Sequence, residues 1–440
     1  MRVLLIAEAA NPEWTSVPLV GWSHAMALAR VTDAHLVTQV RNCEAIQRSG
    51  LASDAYTCID SEAVAKVMWK VGGRLRGGAG KGWTTLMAAA SVSYYYFEKL
   101  LWKQFGERIR AHEFDIVHRI TPLSPTVPSL LAARCARAGV PFVLGPLNGG
   151  VPWPKAFDTE RRREKEWLSY VRGVYKLLPG YGSTRRRSSA IIIGSRDTWN
   201  QMAPRFHARC VYIPENAIDP QRFGRNVSGP VGSPLRAAFV GRLVPYKGAD
   251  MLIQAAAPLV RAGKLLVDII GDGPEMARLK ELVTSEGLDA GVRLDGWVDH
   301  AKLQDRLCAA DVFAFPSIRE FGGGVVLEAM ALGLAPVVVD YGGPAELITA
   351  DSGVKVPIGT REQVIEGFRD ALTRLVEHPA QIRPMGERAR QHVLRHFTWD
   401  AKARQVMEVY RWVLGERKDK PQDADLFPSA AALDAVGSVA

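Results

Sequence analysis

Cysteine is scarce in this chain: five cysteines occur among 440 residues, and no two of them have the spacing Cys-x-x-Cys. An odd and scattered set of thiols indicates neither a disulfide framework nor a zinc site. The cysteine content therefore fits a protein of a reducing cytosol.

Long apolar segments are lacking as well. The N-terminal apolar run 3–7 stops at Glu8, which makes it too short for a signal peptide. One long uncharged stretch, residues 82–97, falls short of the ~20 apolar residues that span a bilayer. We therefore expect a cytoplasmic protein without a transmembrane helix.

Acidic residues are outnumbered by basic ones, 46 against 56, which gives a formal net charge of +10. A basic protein favours anionic partners such as nucleic acid, acidic membrane surfaces or phosphorylated substrates. No nucleic-acid-binding module accompanies the charge, so no nucleic acid partner is expected. Basic and aromatic residues interleave in the segments 66–110 and 161–187. These segments fit either an anionic membrane surface as partner or ordinary packed helices whose cations reach solvent.

Length and sequence pattern predict two domains, because 440 residues exceed the usual size of one hydrophobic core. Buried strands alternate with helices in both halves, and the segment 215–234, rich in Gly, Pro and Asn, separates them. We therefore predict an α/β fold class with two doubly wound Rossmann-like domains.

The first domain is predicted at residues 1–220 and the second at 221–399. The helical pattern of 400–415 is expected to return to the first domain. Residues 416–440, which are small and polar, are expected to form a disordered tail.

A glycine-rich turn lies at the centre of the second half. The buried strand 312–315 precedes three consecutive glycines and a short apolar helix. Glycines at a strand-to-helix turn let backbone N–H groups approach an anion, and the helix N-terminus adds partial positive charge. Glu320 and Glu328 flank the glycines and would hold two ends of an elongated, phosphate-containing ligand. An ordinary turn with solvated carboxylates explains this stretch equally well when it is taken alone.

Two cations follow another predicted strand. Gly241, Arg242 and Lys247 come just after the strand 236–240, and ligands of open α/β sheets bind at the carboxyl edge of the strands. A short loop would bring both cations toward one diphosphate, where each would contribute roughly 1.5 to 3 kcal/mol. A loop with ordinary surface cations is the alternative.

Glycine-rich turns also end two further strands, at Gly271 and Gly296, so four successive strand ends carry them. In this order and spacing the region 235–347 resembles the nucleotide-sugar domain of family 4 retaining glycosyltransferases, which have the two-domain GT-B architecture. The spacing of Glu320 and Glu328 is the most specific part of the resemblance. The resemblance implies a nucleoside diphosphate sugar as donor, bound in a cleft that both domains face.

The resemblance also implies a role for each matching residue. Arg242 and Lys247 would bind the donor diphosphate. Glu328 would bind the ribose hydroxyls, Glu320 the hydroxyls of the transferred sugar, and the backbone of Val298 the base. The donor-binding residues that the resemblance implies are Gly241, Arg242, Lys247, Val298, Glu320, Gly323, Gly324, Val325 and Glu328.

The first half resembles the family more loosely. His118 ends a predicted strand where the family has a histidine near the reacting sugar, and a structural histidine is the alternative. Gly149, Gly150 and Trp153 follow a later strand and would line the acceptor side. The chain departs from the family pattern twice: Glu-Phe-Gly-Gly-Gly replaces Glu-Gly-Phe-Gly, and Gly21 stands alone where paired glycines are usual.

The resemblance predicts a retaining, metal-independent hexosyltransferase whose catalytic residues would be His118, Glu320, Arg242 and Lys247. No metal and no cofactor are expected, because no His or Cys ligands cluster and no Asp-x-Asp pair lies on a predicted strand-end loop. The expected acceptor is a lipid-linked or growing saccharide of bacterial-type polysaccharide or glycolipid synthesis. The protein would then bind peripherally to the inner face of the membrane.

Three other functions remain as alternatives. A non-catalytic, membrane-associated component of a polysaccharide assembly complex would bind the nucleotide sugar without turnover. A glycoside hydrolase or phosphorylase would need two carboxyl groups about 5 to 9.5 Å apart across one bond. A nucleic-acid binder would show binding that weakens steeply with salt.

Overall fold

The computed structural model describes residues 1–63, 83–163, 174–227 and 229–428 of the chain. The chain divides into two compact units, and each contains a parallel sheet. The first unit comprises Met1–Gly149, Lys165–Glu215 and Trp399–Ala440, and the second comprises Gly150–Glu164 and Asn216–Thr398. The predicted fold class, α/β with two doubly wound Rossmann-like sheets, is confirmed.

The first unit contains seven parallel strands in the order β3-β2-β1-β4-β5-β6-β7. The strands are β1 (Arg2–Ala7), β2 (Asp33–Gln39), β3 (Tyr56–Ile59), β4 (Ile116–Thr121), β5 (Phe142–Leu147), β6 (Ala190–Ile193) and β7 (Cys210–Tyr212). Its described helices are α1 (Val17–Ala29), α2 (Cys43–Arg48), α3 (Trp83–Arg110), α4 (Leu131–Ala138), α6 (Tyr181–Arg187), α7 (Arg196–Gln201), α15 (Trp399–Val413) and α16 (Asp423–Leu426).

Both faces of the first sheet are covered by apolar side chains. Successive residues of a strand point to opposite faces. Accordingly, Leu4 and Ile6 belong to one core cluster, whereas Val3, Leu5 and Ala7 belong to the other. This two-sided burial explains why β1 is a continuous apolar run rather than an alternating one.

The second unit contains six parallel strands in the order β10-β9-β8-β11-β12-β13. The strands are β8 (Leu235–Val240), β9 (Leu265–Ile270), β10 (Val292–Gly296), β11 (Val312–Phe315), β12 (Ala335–Asp340) and β13 (Val354–Pro357). Its described helices are α5 (Asp158–Arg163), α8 (Ala249–Arg261), α9 (Met276–Ser285), α10 (His300–Leu307), α11 (Gly324–Ala331), α12 (Gly343–Leu347), α13 (Arg361–Glu377) and α14 (Ile382–His396).

The division of the chain differs from the predicted one in one segment. The chain passes from the first unit to the second between Glu215 and Asn216, near the predicted boundary after residue 220. The segment Gly150–Glu164, predicted within the first domain, belongs to the second unit. The sequence pattern could not show that the segment Gly150–Glu164 belongs to the second unit, because the segment carries no periodic element of its own beyond the short helix α5.

The C-terminal segment is ordered further than the sequence predicted. Helix α15 packs against α1, and Tyr410 of α15 is fully buried. Leu426 of α16 is 3% exposed, and its carbonyl accepts a hydrogen bond of 3.0 Å from Gln405 Nε2. The prediction of a disordered tail is therefore wrong for residues 416–428. Residues 429–440 lie outside the described residues.

Two of the five cysteines are paired, which corrects the expectation of unpaired thiols. Cys43 at the start of α2 and Cys58 in β3 form a disulfide, with their Cα atoms 6.3 Å apart. Strands β2 and β3 are neighbours, so the fold brings together two positions whose sequence spacing is not diagnostic. Of the other thiols, those of Cys135 and Cys210 are buried, and that of Cys308 is half-buried.

Helix α3 contains part of the basic and aromatic segment 66–110. Tyr94 and Phe97 are 2% and 1% exposed and belong to the core of the first unit. These two aromatic residues pack as in an ordinary helix. None of the described helices is both long and apolar enough to cross a bilayer. Residues 66–82 and 164–173 of the two basic and aromatic segments lie outside the described residues.

We expect Leu426→Ala to lower the stability of the protein by about 2 to 5 kcal/mol, because it empties a buried leucine site. The measurement is a shift of the urea unfolding midpoint. Leu177→Ala is the matched control, since the Leu177 side chain is 83% exposed and its loss should change stability by less than about 0.5 kcal/mol. Equal midpoints for both variants would contradict the packing of α16.

Candidate functional site

The carboxyl edge of the second sheet gathers most of the predicted donor residues. From β8 the chain moves to β9 and β10, and then returns to the other side of β8 to form β11. The edge between β8 and β11 is therefore the topological switch point at which open α/β sheets bind ligands. Arg242 and Lys247 follow β8, Glu320 and Gly323 follow β11, and Val298 follows β10.

Lys247 and Glu320 form a half-buried ion pair between the loops after β8 and β11. The Lys247 ammonium donates a hydrogen bond to Glu320 Oε2, and the two side chains are 16% and 18% exposed. The ammonium nitrogen also lies 5.2 Å from the ring centroid of Phe315. Burial lowers the pKa of Lys247 to about 8, so the cation is still the main form at pH 7. The structure thus brings together two residues to which the sequence assigned separate ligand groups.

The glycines after Glu320 form the N-terminus of α11. Gly323 has a φ of 63°, in the left-handed region that favours glycine. A Cβ at Gly323 would also lie 2.9 Å from Leu347 Cδ1, so the turn has little room for a side chain. The first-turn amides of a helix, here those of Gly324 and Val325, have no acceptor within the helix and can bind an anion.

Glu328 lies on α11 four residues after Gly324, and is half-buried. Residues four apart share one face of a helix, so Glu328 lies one turn below the amides of the helix N-terminus. Arg242 is exposed, and Gly241 and Val298 are half-buried.

Asn216 is a neighbour of this turn that sequence reasoning missed. A Cβ built on Gly324 would lie 3.7 Å from Asn216 Nδ2, which places the amide beside the start of α11. Asn216 is the first residue of the second unit after the crossing from the first. The only signal in the sequence was its position at the exit of β7, within a segment that was interpreted as a linker.

The segment after Gly150 packs on the same loops of the second unit. The Trp153 and Tyr246 rings meet edge to face, with their centroids 5.9 Å apart. The Arg319 guanidinium lies 5.1 Å from the Trp153 ring centroid, and its Nε donates a 3.3 Å hydrogen bond to the carbonyl of Val151. Trp153 therefore supports the loops that carry Lys247 and Glu320.

This placement corrects the assignment of the acceptor-side residues. Gly150 and Trp153 belong to the second unit, with the predicted donor residues, and only Gly149 belongs to the first unit. Trp153 is 7% exposed, because it is covered by the loops that it contacts. The carbonyl of Gly149 accepts a 3.3 Å hydrogen bond from Thr198 Oγ1 in the first unit.

His118 is a buried residue of the first unit and not a strand-end residue. Strand β4 continues to Thr121, so the imidazole lies inside the sheet, where it is 0% exposed. Its Nδ1 lies 2.6 Å from the Tyr410 hydroxyl and its Nε2 lies 2.7 Å from the carbonyl oxygen of Gly145. Both ring nitrogens have partners, and burial lowers the pKa of His118 to about 4. These contacts argue against the predicted role of His118 beside a reacting sugar.

The first unit also buries a carboxyl group and an amine that sequence reasoning did not single out. Glu215 is 8% exposed after β7, and Lys402 of α15 is 0% exposed. Burial raises the pKa of Glu215 to about 7 and lowers that of Lys402 to about 7. The Lys402 ammonium donates a hydrogen bond to the carbonyl of Pro214. This pair helps to fix α15 to the end of β7.

Metal ligands do not cluster in the described parts of the chain: no group of three His, Cys, Asp or Glu residues there could hold a metal ion. One Asp-x-Asp pair does occur, Asp423 and Asp425 in α16. The carboxylate of Asp423 pairs with Arg196, and that of Asp425 pairs with Arg417 at 2.6 Å. The expectation that no metal or cofactor is needed stays a prediction.

Comparison with known proteins finds a family match in the second half of the chain. Residues 221–392 match the family model of glycosyl transferases group 1. D-inositol 3-phosphate glycosyltransferase of Kineococcus radiotolerans is 34% identical over 199 residues, which are 41% of this chain and 44% of that protein. The chain thus matches less than half the length of this relative. GDP-mannose-dependent alpha-mannosyltransferase of Mycobacterium tuberculosis is 29% identical over 320 residues, 70% of this chain and 76% of that protein.

A solved structure extends the similarity of fold over nearly the whole chain. Anabaena HepE in complex with UDP superposes with a TM-score of 0.57 and 16% identity, over 93% of this chain and 99% of that one. At this identity the match concerns the fold. The fold of this chain, two parallel-sheet α/β units, is that of GT-B glycosyltransferases.

We expect the protein to lose stability as the pH falls from 6.5 to 4, with His118 as one cause. Its pKa is about 4 when folded and ordinarily about 6.5, so the unfolded state takes up the proton first. The full contribution is about 3 kcal/mol, present above pH 6.5 and lost below pH 4. Urea unfolding at several pH values measures it.

The variant His118→Gln should show a flatter pH dependence than the wild type. His24 is also buried, and its pKa is lowered by burial and then by His118, whose ring centroid lies 6.0 Å away, so the comparison reports the two imidazoles together. The control is His112→Asn, a change at an exposed histidine. Parallel curves for wild type and His118→Gln would contradict the neutral, buried imidazole.

Proposed function

We propose that this chain transfers a sugar from a nucleoside diphosphate sugar to an acceptor hydroxyl. The premise is that residues 221–392 belong to the glycosyl transferases group 1 family. The observation that carries the proposal is the half-buried pair of Lys247 and Glu320 at the switch point of the second sheet, where α11 also begins. A diphosphate and a sugar require three kinds of group, namely a cation, a carboxylate and first-turn helix amides.

Stabilisation of the leaving diphosphate is the main catalytic task. Departure of the diphosphate leaves an oxocarbenium-like sugar, and negative charge grows on the phosphate oxygens. Arg242 and Lys247 would each give charge-assisted hydrogen bonds worth roughly 1.5 to 3 kcal/mol. The amides of Gly324 and Val325 would add the partial positive charge of the helix N-terminus. Glu328, one turn along α11, would bind the ribose hydroxyls.

Donor binding would exchange the partners of the half-buried pair. In the free protein the Lys247 ammonium and the Glu320 carboxylate neutralise each other. A buried charge that loses its partner is costly, so both groups must find new partners when a ligand separates them. Phosphate oxygens would accept from Lys247, and the sugar hydroxyls would donate to Glu320. The Lys247 ammonium and the Glu320 carboxylate would thus each have a partner both before and after the donor binds.

We further propose that the chain is a family 4 enzyme and that the transfer retains the anomeric configuration. The bond between the anomeric carbon and the phosphate oxygen breaks, and the acceptor oxygen bonds to the same face of that carbon. The acceptor proton passes to a phosphate oxygen, so no protein base is needed and His118 can remain buried. The cationic side chains and α11 would supply the charge that a metal supplies elsewhere, without a cofactor.

The proposed acceptor is a lipid-linked or growing saccharide. We propose that the protein is cytoplasmic and binds peripherally to the inner face of the membrane, where it would meet this acceptor. The net charge of +10 supports contact with an anionic surface. The names of the two relatives, an inositol phosphate glycosyltransferase and a mannosyltransferase, support a hydroxyl acceptor. A non-catalytic nucleotide-sugar-binding component is the alternative, and it would bind the donor without turnover.

The experiment that tests the function is calorimetric screening of UDP-, GDP- and ADP-sugars, followed by turnover with the donor that binds. Lys247→Ala should lower kcat about 10²-fold, because the leaving group loses a cation. Lys264→Ala, at an exposed lysine, is the control and should leave kcat unchanged. If no sugar nucleotide binds, the function is wrong. If kcat in Lys247→Ala equals that of wild type, the phosphate role of Lys247 is wrong.

Glu328→Ala should weaken donor binding more than it slows the chemical step. Losing a charge-assisted hydrogen bond of roughly 1.5 to 3 kcal/mol raises the donor dissociation constant about 10- to 100-fold. Calorimetry gives this constant, and saturating donor gives kcat. Glu377→Ala, at an exposed glutamate of α13, serves as the control. An unaltered dissociation constant in Glu328→Ala would remove this residue from the ribose site.

A further inference from the structure

A second cavity lies at the opposite edge of the second sheet, where the strands begin. Its volume is about 520 Å³. Its lining includes Arg236 at the start of β8, Leu266 at the start of β9 and Asp311 just before β11. Six residues of β8, at about 3.3 Å each, put roughly 20 Å between this edge and the loop that carries Arg242. The cavity is therefore separate from the proposed donor site.

Arg383, in the first turn of α14, presents a charged donor at this cavity. Its Nε donates to the carbonyl of Gly229 at 2.8 Å, and its Nη2 donates to the carbonyl of Pro230 at 3.1 Å and to Asp311 Oδ1 at 2.5 Å. Its Nη1 is buried and has no hydrogen-bond partner among the described residues. A buried guanidinium nitrogen without an acceptor is costly, so Arg383 would be stabilised by an acceptor that its Nη1 can reach.

The charges around the cavity favour an anion. Arg236 and Arg383 line it together with a single carboxylate, that of Asp311. This carboxylate already accepts hydrogen bonds from Arg383 and from the backbone amides of Gly232 and Arg236. Its acceptor capacity is thus largely used within the protein. Arg236 also pairs with Asp268 at 2.9 Å, but Asp268 does not line the cavity, so the lining itself holds two guanidinium groups and one carboxylate.

We propose that this cavity is a second binding site, for a small phosphorylated metabolite. Ligand pockets typically measure about 300 to 1,000 Å³, and this cavity falls within that range. The planar, multiply donating guanidinium suits phosphate oxygens, and the Ser233 hydroxyl also lines the cavity. The phosphate would complete the hydrogen bonds of Arg383. The site is independent of the proposed transferase activity.

Cys308 gives the cavity its own chemical reporter. It lines the cavity and is a half-buried free thiol, whereas the thiols of Cys135 and Cys210 are buried and Cys43 is bonded to Cys58. A ligand in the cavity should therefore slow alkylation of Cys308. Peptide mass spectrometry after iodoacetamide treatment measures the rate at this position in the full chain.

The experiment compares alkylation with inorganic phosphate, with glucose 6-phosphate, and with potassium chloride or acetate at matched ionic strength. At a ligand concentration about ten times the dissociation constant, mass action predicts roughly tenfold slower alkylation. Both phosphate probes should protect wild type, and chloride and acetate should not. Equal protection by chloride, or no protection by any probe, would overturn the site. Equal protection by acetate would overturn the assignment of phosphate.

The matched variants are Arg236→Gln and Arg293→Gln. Both side chains pair with the carboxylate of Asp268, at 2.9 and 3.3 Å, but only Arg236 lines the cavity. Either variant leaves Asp268 with a cation, so both should fold. Arg236→Gln should lose protection by phosphate, and Arg293→Gln should keep it.

A further control, Arg242→Ala, removes a cation of the donor edge and should also keep the protection. Protection that persists in Arg236→Gln, or that disappears in Arg242→Ala, would place the phosphate elsewhere and overturn the proposal. Because the readout is alkylation of Cys308 and not turnover, failure of this site and failure of the proposed function can be told apart.

Discussion

The structure depends on the direction of its parallel strands. A strand that pairs in parallel with its predecessor needs a crossover, and the crossovers cover both faces of the sheet with helices. Both faces are then apolar, as the two core clusters around β1 show. The polar groups of both proposed sites lie at the two edges of the second sheet, where strands begin or end. The Lys247–Glu320 pair and the cavity at Arg383 lie at these two edges of one sheet.

The half-buried Lys247–Glu320 pair is better understood as part of a binding site than as a stabilising contact. Desolvation of two charges offsets much of their attraction, and apolar residues of similar size would stabilise the same position as well or better. A perturbed lysine pKa at a sheet edge is typical of functional sites. The ring of Phe315 lies beside the Lys247 ammonium, and Trp153 contacts Tyr246 and Arg319, the sequence neighbours of the pair. Its charges are therefore available to a ligand that can replace them as partners.

Sequence reasoning was sufficient where one residue type determines the local structure. The continuous apolar runs marked the strands, and glycines marked the turns, because a φ such as the 63° of Gly323 is accessible mainly to glycine. Sequence reasoning failed where contacts between residues far apart in the chain determine the structure. His118 was interpreted as a strand end because the pattern does not show that β4 continues to Thr121. The pairing of Cys43 with Cys58 depends on how the fold places α2 beside β3 and not on a motif.

The two edges of the second sheet should bind anions by different means. Crossover helices run antiparallel to the strands, so their N-termini lie at the carboxyl edge and their C-termini at the amino edge. At the carboxyl edge backbone amides and the helix dipole attract phosphate, which is why a glycine turn can serve there. At the amino edge the crossover dipoles repel an anion, whereas α14 begins there, with Arg383 in its first turn. Arg236 and Arg383 occupy that edge, and an anion there would be held mainly by guanidinium groups.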